Sequence, residues 1–378
     1  MGLRQIITSF AIVWATSTVV INAHAEKLGS EFRVNTTTVR DQEGSSVAGL
    51  RSGNFVVTWL SNQRYNLGVY GQRYTATGAR IGGEFKINTA PFTMLVGRTS
   101  VAALQNGGFV VTWIADATPR RGIHGQRFDE NGTRAGGEFS VAAGTSTPFV
   151  AGINGGGFVT TTLRKTPEGN VIVGNRFDEM GDKIGNQLLV SGPENLQNPI
   201  VTGLTGGGFV IIWSGYYTSI GVFGQMFDKT GAPVGSRFVI ANTNSTPSVS
   251  ALADDRFIVT WADGTNRNIV AQRYNSMSQI IGNQLTVAPL RGVTYPSAVG
   301  FMDGSFIIAW DKYDVFGQKF DASGTKMGGQ FQISTKRKVT SPHLAALKGN
   351  DFVAIWDTTK SQDSSGFGVS GQRCRNRC

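Results

Sequence analysis

Residues 55–59 read FVVTW, and variants of this stretch recur six more times along a chain of 378 residues. The seven copies begin at Phe55, Phe109, Phe158, Phe209, Phe257, Phe306 and Phe352. Their spacing of 46 to 54 residues lies in the range that is typical of solenoids and propeller blades. The repeat therefore defines the fold class before any single residue is considered.

Each repeat reads as four short strands. In the second copy, residues 100–104, 109–113, 123–128 and 136–141 are rich in Val, Ile, Phe and Trp, and the turns QNGG and DENG interrupt them. Short apolar segments bounded by Gly, Asn and Asp are typical of antiparallel strands joined by tight hairpins. Four strands in about 50 residues make one propeller blade. The sequence predicts an all-β chain folded as a single seven-bladed β-propeller.

The ends of the chain suggest how the ring closes. The seventh copy stops at Cys378 without a fourth strand, while residues 29–35 (GSEFRVN) match the fourth strand of other copies. We therefore expect this N-terminal strand to pair with the blade at 341–378, since an open ring would expose a strand edge. Arg73 and Glu84 are eleven residues apart, and so are Arg127 and Glu138. This spacing predicts cross-strand pairs within each blade.

Applied across the two ends of the chain, the same pattern predicts a closure pair between Glu31 and Arg373. A second feature of the C-terminus is the sequence CRNRC, which holds the only two cysteines, Cys374 and Cys378. An oxidising compartment would permit a small disulfide loop between them, and free or intermolecular thiols are the alternative.

The first 25 residues differ from the rest. A basic residue, Arg4, precedes the mostly apolar residues 6–21, and residues 23–25 (AHA) have the pattern that signal peptidase recognises. We interpret residues 1–25 as a signal peptide, with a transmembrane anchor as the competing interpretation, and residues 26–378 as the propeller. The predicted location is secreted, extracellular or periplasmic.

The repeat also resembles a known group. The stretches GGFVVTW (residues 107–113), GQRFD (125–129) and GGEFKINT (82–89) are similar to repeats of exported bacterial proteins, including calcium-binding and adhesin-like exoproteins of the haemolysin-related kind. The resemblance covers nearly the whole chain after residue 25. It implies a secreted or surface-associated propeller with a binding or adhesion role. The chain lacks the GGxGxD array of the calcium-binding members, so we expect no cofactor, and calcium is the one the resemblance leaves open.

Composition and loop positions suggest the kind of partner. The formal net charge is +10, which favours anionic partners. In a propeller the loops between second and third strands and the connections between blades share one face, and here they vary in length and composition. The basic and aromatic residues of that face are candidate ligand contacts: Arg120, Arg121, Arg164, Lys165, Tyr216, Tyr217, Tyr313, Lys336, Arg337 and Lys338. Solvated loops without a ligand are the alternative for each of them.

Catalytic motifs are absent from the sequence. It contains no G-x-S-x-G, HExxH or Walker pattern and no metal-ligand cluster. We therefore expect a non-enzymatic propeller that binds a glycan or a cell-surface protein, rather than nucleic acid, through its variable loops. A polysaccharide hydrolase or lyase with carboxylates from separate blades is one alternative. A structural platform for protein interactions is the other.

Overall fold

The computed structural model describes residues 25–38, 40–62, 67–90, 97–115, 121–144, 146–290, 295–335, 339–358 and 366–376. They form seven antiparallel sheets of four strands each, arranged in a ring. The first blade consists of β2 (Gln42–Gly49), β3 (Phe55–Ser61), β4 (Gly68–Tyr74) and β5 (Arg80–Lys86). The second consists of β6 (Ser100–Ala103), β7 (Phe109–Ala115), β8 (Gly122–Phe128) and β9 (Phe139–Ala142). The third consists of β10 (Phe149–Gly152), β11 (Phe158–Thr166), β12 (Gly169–Phe177) and β13 (Lys183–Leu189).

The next three blades follow the same order from the hub outwards. The fourth blade consists of β14 (Leu196–Gly203), β15 (Phe209–Gly215), β16 (Gly221–Phe227) and β17 (Pro233–Ala241). The fifth consists of β18 (Ser248–Ala251), β19 (Phe257–Asp263), β20 (Asn268–Tyr274) and β21 (Ile280–Pro289). The sixth consists of β22 (Ser297–Gly300), β23 (Phe306–Lys312), β24 (Asp314–Phe320) and β25 (Lys326–Gln332). Two single 3-10 turns, Tyr217–Ser219 and Lys348–Asn350, are the only helical segments among the described residues. None of the described residues lies in a helix long and apolar enough to cross a bilayer.

The seventh blade confirms the predicted closure of the ring. It is formed by β26 (Val339–Ala346), β27 (Asp351–Thr358), β28 (Gly368–Arg375) and, as its outermost strand, β1 (Glu26–Arg33). The antiparallel register places Leu28 opposite Arg373 and Phe32 opposite Gly371, with a β-bulge between. The two ends of the chain therefore share one sheet, with a strand that begins slightly earlier than residue 29.

Glycines let the inner strands approach one another at the hub. Each inner strand contacts the inner strands of both neighbouring blades, all the way round the ring. A Cβ atom on Gly152 would overlap the carbonyl oxygen of Ala103, and one on Gly203 would overlap the carbonyl oxygen of Gly152. The small residues of the inner strands are thus required by backbone contact between blades.

Aromatic side chains fill the spaces between blades. In six blades the aromatic residue that begins the second strand stacks on the last aromatic residue of the third strand; for example, the ring centroids of Phe109 and Phe128 are 4.8 Å apart. The six tryptophans of the repeats are buried at 0 to 3% exposure, as expected for core residues: Trp59, Trp113, Trp213, Trp261, Trp310 and Trp356. In the third blade the corresponding position is Thr162, which is buried too.

Cys374 takes the aromatic position in the seventh blade. It lies opposite Phe352 in the register, where other blades place Phe or Tyr, and its side chain is fully buried. Burial raises the pKa of this thiol to about 12. Cys378 lies outside the described residues, so the disulfide between the two cysteines stays a prediction.

The predicted Arg–Glu pairs within blades were wrong. Arg73 lies opposite Ile81, because a β-bulge shifts the register between Gly71 and Arg73. Its guanidinium instead reaches the next blade, where Nη1 donates to the carbonyl oxygen of Glu130 at 3.2 Å. Arginines at the same place in four other blades also donate to a turn carbonyl of the following blade: Arg127 to Glu179, Arg176 to Lys229 and Thr230, Arg273 to Ala322 and Ser323, and Arg373 to Thr77. We call these five contacts the arginine clasps.

The glutamates of the outer-strand sequences GSEF (residues 29–32) and GGEF (82–85 and 136–139) point the opposite way, to the preceding blade. Glu31 Oε2 accepts hydrogen bonds from the backbone N–H and the hydroxyl of Thr335, at 2.7 and 2.6 Å. Glu84 and Glu138 likewise accept the backbone N–H of Thr36 and of Thr89. The predicted closure pair of Glu31 with Arg373 is therefore corrected: each side chain binds a neighbouring blade instead of the other.

Two junctions lack a clasp arginine. The sixth blade carries Lys319 at this position, and the junction after the fourth blade differs on both sides. The fourth blade carries Met226 where the clasp arginine would stand, and the facing turn of the fifth blade carries Ser278 where the others have glycine. At a clasped junction, a Cβ on Gly231 would lie 2.7 Å from Cδ of Arg176. The turn glycine is thus needed both for its positive φ and for the approach of the arginine.

We predict that Arg176→Met lowers the free energy of unfolding by about 1–3 kcal/mol, the usual range for losing hydrogen bonds made by a charged donor. Gly231→Ser should destabilise the wild-type protein but cost less when combined with Arg176→Met, because the clash is then removed. Urea unfolding of the two single variants and the double variant measures this coupling. Arg237→Gln, at an exposed ion pair, is the control, and additive effects of the two changes would contradict the prediction.

Candidate ligand-binding face

The hairpins between second and third strands and the connections between blades lie on one side of the ring, which we call the loop face. The turns between first and second strands lie on the opposite side, the turn face. Arg120, Lys336, Arg337 and Lys338 lie outside the described residues, so their place on the loop face stays a prediction. The remaining candidates come from the second, third, fourth and sixth blades.

Two tyrosines project from the loop face. Tyr217 follows the end of β15 and is 83% exposed, and Tyr313 separates β23 from β24 and is 74% exposed. Both residues have a positive φ, of 53° and 65°. Such a conformation is uncommon for residues other than glycine and disfavours an aromatic side chain. Tyr216 is less exposed, and its backbone N–H donates to the carbonyl oxygen of Asn195 at 2.8 Å.

The basic candidates extend the same face towards the third blade. Arg164 and Lys165 are exposed at the tip of the long hairpin of β11 and β12. Nη1 of Arg164 donates to Oε1 of Gln187 at 2.9 Å, so its guanidinium leans towards the outer strand β13. Arg121 is exposed directly before β8. The structure places these candidates on the rims of different blades and does not bring them into one compact site.

A polar cluster that sequence reasoning missed lies nearer the hub. Arg98, which precedes β6, reaches across the first blade to the seventh, where Nη1 lies 2.8 Å from Nε2 of His343 and Nη2 donates to Oγ of Ser341 at 2.7 Å. Asp357 lies 4.0 Å from the guanidinium and accepts a hydrogen bond from Oγ of Ser45 at 2.6 Å. The cluster thus joins the second, first and seventh blades through side chains.

Asp311 occupies the same place in the sixth blade as Asp357 does in the seventh. Each follows the core tryptophan of its strand, and each is buried. Asp311 Oδ1 accepts the backbone N–H of Tyr295 at 3.0 Å, and Asp357 accepts the backbone N–H of Gly44 at 3.1 Å. The dipeptide Trp-Asp, which occurs at this place in both blades, was the one indication in the sequence. The sequence alone does not show which groups of neighbouring segments the aspartate contacts.

Burial determines how the cluster titrates. Desolvation, helped by the charge of Arg98, lowers the pKa of His343 to about 3, so the imidazole is neutral at pH 7. Desolvation also raises the pKa of Asp357, with Arg98 and hydrogen bonds from Ser45 and Gly44 acting against it. The pKa of Asp311 is raised for the same reason. The cluster therefore combines one guanidinium, one neutral imidazole and two desolvated carboxyls.

The fold defines the class of protein as a seven-bladed β-propeller, and comparison with solved structures agrees. The polysaccharide lyase Uly1 superimposes with a TM-score of 0.57 at 9% identity, over 95% of this chain and 94% of that one. The Dos1 propeller gives 0.53 at 11% identity, over 93% and 96%. A protein of unknown function from Dyadobacter fermentans gives 0.53 at 10% identity, over 93% and 99%. At these identities the likeness establishes the fold alone.

No family model matches the chain, and no curated protein matches its sequence.

We predict that His343 makes folding stability depend on pH. Between its ordinary pKa of 6.5 and its lowered pKa, the unfolded chain binds a proton that the folded protein does not. Stability should therefore fall as the pH is lowered through this window, by up to about 1.4 kcal/mol per pH unit. His343→Gln, whose amide oxygen can still accept from Arg98, should show a shallower decline in urea midpoints between pH 7 and pH 4. Parallel profiles for the two proteins would contradict the prediction.

Proposed function

We propose that this protein is an exported, non-enzymatic propeller that binds a glycan of a cell surface through its loop face. The observation that carries the proposal is the pair of exposed tyrosines, Tyr217 and Tyr313, held at positive φ. Such a backbone costs roughly 1–3 kcal/mol at each residue and tends to persist where function requires it. Exposed aromatic rings provide flat apolar surfaces on which the C–H face of a sugar packs.

The charge of the chain supports an anionic ligand. The net charge is +10, and Arg121, Arg164 and Lys165 are exposed on the loop face. Guanidinium groups bind carboxylates and phosphates through paired hydrogen bonds. The tyrosines and cations are spread over several blades, so the ligand is expected to be extended and to gain affinity from several weak contacts.

The location and metal content belong to the same proposal. We infer export from residues 1–25 and a surface or extracellular role from the resemblance to adhesin-like repeats. The site proposed here needs no metal. A cell-surface protein is an alternative partner, and the loop face would then act as an interaction platform.

A polysaccharide hydrolase or lyase is the second candidate, because of one specific arrangement. Asp311 and Asp357 are buried carboxyls from adjacent blades, and Arg98 and the neutral His343 lie beside Asp357. Most glycoside hydrolases use a pair of carboxyl groups, one on each side of the bond they cleave. Both carboxyls already cap backbone N–H groups, however, which favours a role in joining the blades.

We predict that Tyr217→Gly and Tyr313→Gly each weaken binding of a glycan identified on an array by roughly tenfold, or about 1.4 kcal/mol. Because glycine adopts positive φ freely, neither change should lower the melting temperature. Surface plasmon resonance and thermal unfolding measure the two effects. Met277→Ala, at an exposed turn of the fifth blade, is the control and should leave binding unchanged.

The result against the proposal is an array without a binder, or a bound glycan that both glycine variants retain at full affinity. Release of shortened or unsaturated oligosaccharides from a polysaccharide, abolished in Asp311→Asn or Asp357→Asn proteins that remain folded, would favour the enzyme instead.

A further inference from the structure

The turn face contains a cavity that the loop-face proposal does not use. It has a volume of about 530 Å³ and lies at the hub, where the first turns of the first three blades meet. The buried side chains of Leu50, Leu104 and Ile153 line it, together with the residues that follow each of them, Arg51, Gln105 and Asn154. We call this cavity the hub dish. Its volume lies within the range of small-molecule sites.

Hydrogen bonds from blade to blade fix the polar side of the hub dish. Nη1 of Arg51 donates to the carbonyl oxygen of Gln105 at 3.0 Å, and Nε2 of Gln105 donates to Oδ1 of Asn154 at 2.6 Å. Nδ2 of Asn154 in turn donates to the carbonyl oxygen of Thr205 at 2.8 Å. These bonds hold the three side chains in place before any ligand arrives, which reduces the entropy lost on binding.

The fixed side chains retain unused hydrogen-bonding groups. In the described part of the chain, Nε and Nη2 of Arg51 and Oε1 of Gln105 have no hydrogen-bond partner. Arg51 is exposed and forms no ion pair with any described carboxylate. A guanidinium with free N–H groups is a ready partner for a carboxylate, because two parallel bonds can form.

The hub rim is electrically asymmetric in a way that strengthens this preference. Lys348 of the seventh blade lies beside Gly53, and Gly53 belongs to the same turn as Arg51. Lys348 therefore adds a second exposed cation near Arg51. Three carboxylates of the inner turns are already bonded: Asp255 accepts from Thr205 at 2.6 Å, Asp303 accepts from Asn350 at 2.6 Å, and Asp351 lies 3.9 Å from Arg373. Glu130 and Glu179 lie beside the turns that follow Gln105 and Asn154, so the cations are concentrated at the first blade. The potential over the first blade therefore favours an anion.

We propose that the hub dish binds a single acidic sugar unit, a uronate. The carboxylate lies against Nε and Nη2 of Arg51, a ring hydroxyl donates to Oε1 of Gln105, and the C–H face rests on Leu50 and Leu104. A sugar acid fits because it combines an apolar face, hydroxyls and one carboxylate in a unit smaller than the cavity. This site lies on the opposite face from Tyr217 and Tyr313, so it can exist or fail independently of the loop-face function.

The test is isothermal titration of the full chain with trigalacturonate and with its methyl ester, which has lost the charges. Wild-type protein should bind the acid and not the ester. Arg51→Gln should weaken binding at least tenfold, and Arg51→Lys should weaken it less because the charge remains. Lys183→Gln, which removes an exposed charge from β13, is the matched control and should bind as wild type does. The Tyr217→Gly and Tyr313→Gly variants should also bind trigalacturonate normally, which separates this site from the loop face.

Three results would overturn the proposal: no binding of trigalacturonate, equal binding of acid and ester, or full affinity in an Arg51→Gln protein whose melting temperature is unchanged. A fourth is selective binding of a peptide with a free C-terminal carboxylate over its amidated form when trigalacturonate does not compete, because the dish would then recognise a peptide terminus.

Discussion

The pairing of β1 with β28 is the interaction on which the rest of the structure depends. Each blade buries its faces only against its two neighbours, so a ring with one incomplete blade would lose core on both sides of the gap. β1 supplies more than backbone hydrogen bonds. The ring centroid of Phe32 lies 5.2 Å from that of Tyr74 in the first blade, and Glu31 binds Thr335 after the sixth. One strand thus joins three blades.

The residues directly after β1 extend this junction. The side chain of Asn35 donates to Oε1 of Gln42 at 2.9 Å and accepts the backbone N–H of Val369 at 2.9 Å. Thr36 then donates to Glu84 of the first blade. Between the outer strands, a glutamate contacts a threonine of the preceding blade at three junctions, and these three surround the point of closure. These contacts stabilise the ring on both sides of the blade in which β1 pairs with β28.

The repeat made the blades, their number and the closing strand predictable, because strand period, turn glycines and the missing fourth strand are all local features of the chain. It did not make the partners of Arg73 or Glu84 predictable. Those partners lie one blade away, and a β-bulge displaces the residue that simple counting would place opposite. The same reasoning explains Cys374: its burial follows from its alignment with Phe128 and its equivalents, not from its distance to Cys378.

The candidate sites were harder to foresee for a related reason. Arg98, His343 and Asp357 come from the second and seventh blades and share no motif, so only the closed ring brings them together. Arg51, Gln105 and Asn154 form the polar side of the hub dish. Each follows the apolar residue at the start of an inner turn, and this position holds a different residue in every copy of the repeat. Because this repeated position holds a different residue in each blade, the hub dish is positively charged at the first blade and uncharged at the second and third. The residues that recur in every copy form the propeller, and the residues that differ between copies form its candidate binding sites.

The most direct measurement of the central claim is the stability of a chain that lacks residues 26–36, with and without a synthetic peptide of residues 26–38 added in trans. If β1 closes the ring, the truncated protein unfolds at a much lower temperature and urea concentration, and the peptide restores both in a concentration-dependent manner. A truncated protein that unfolds at the same midpoint as the full chain, with no response to the peptide, would contradict the account.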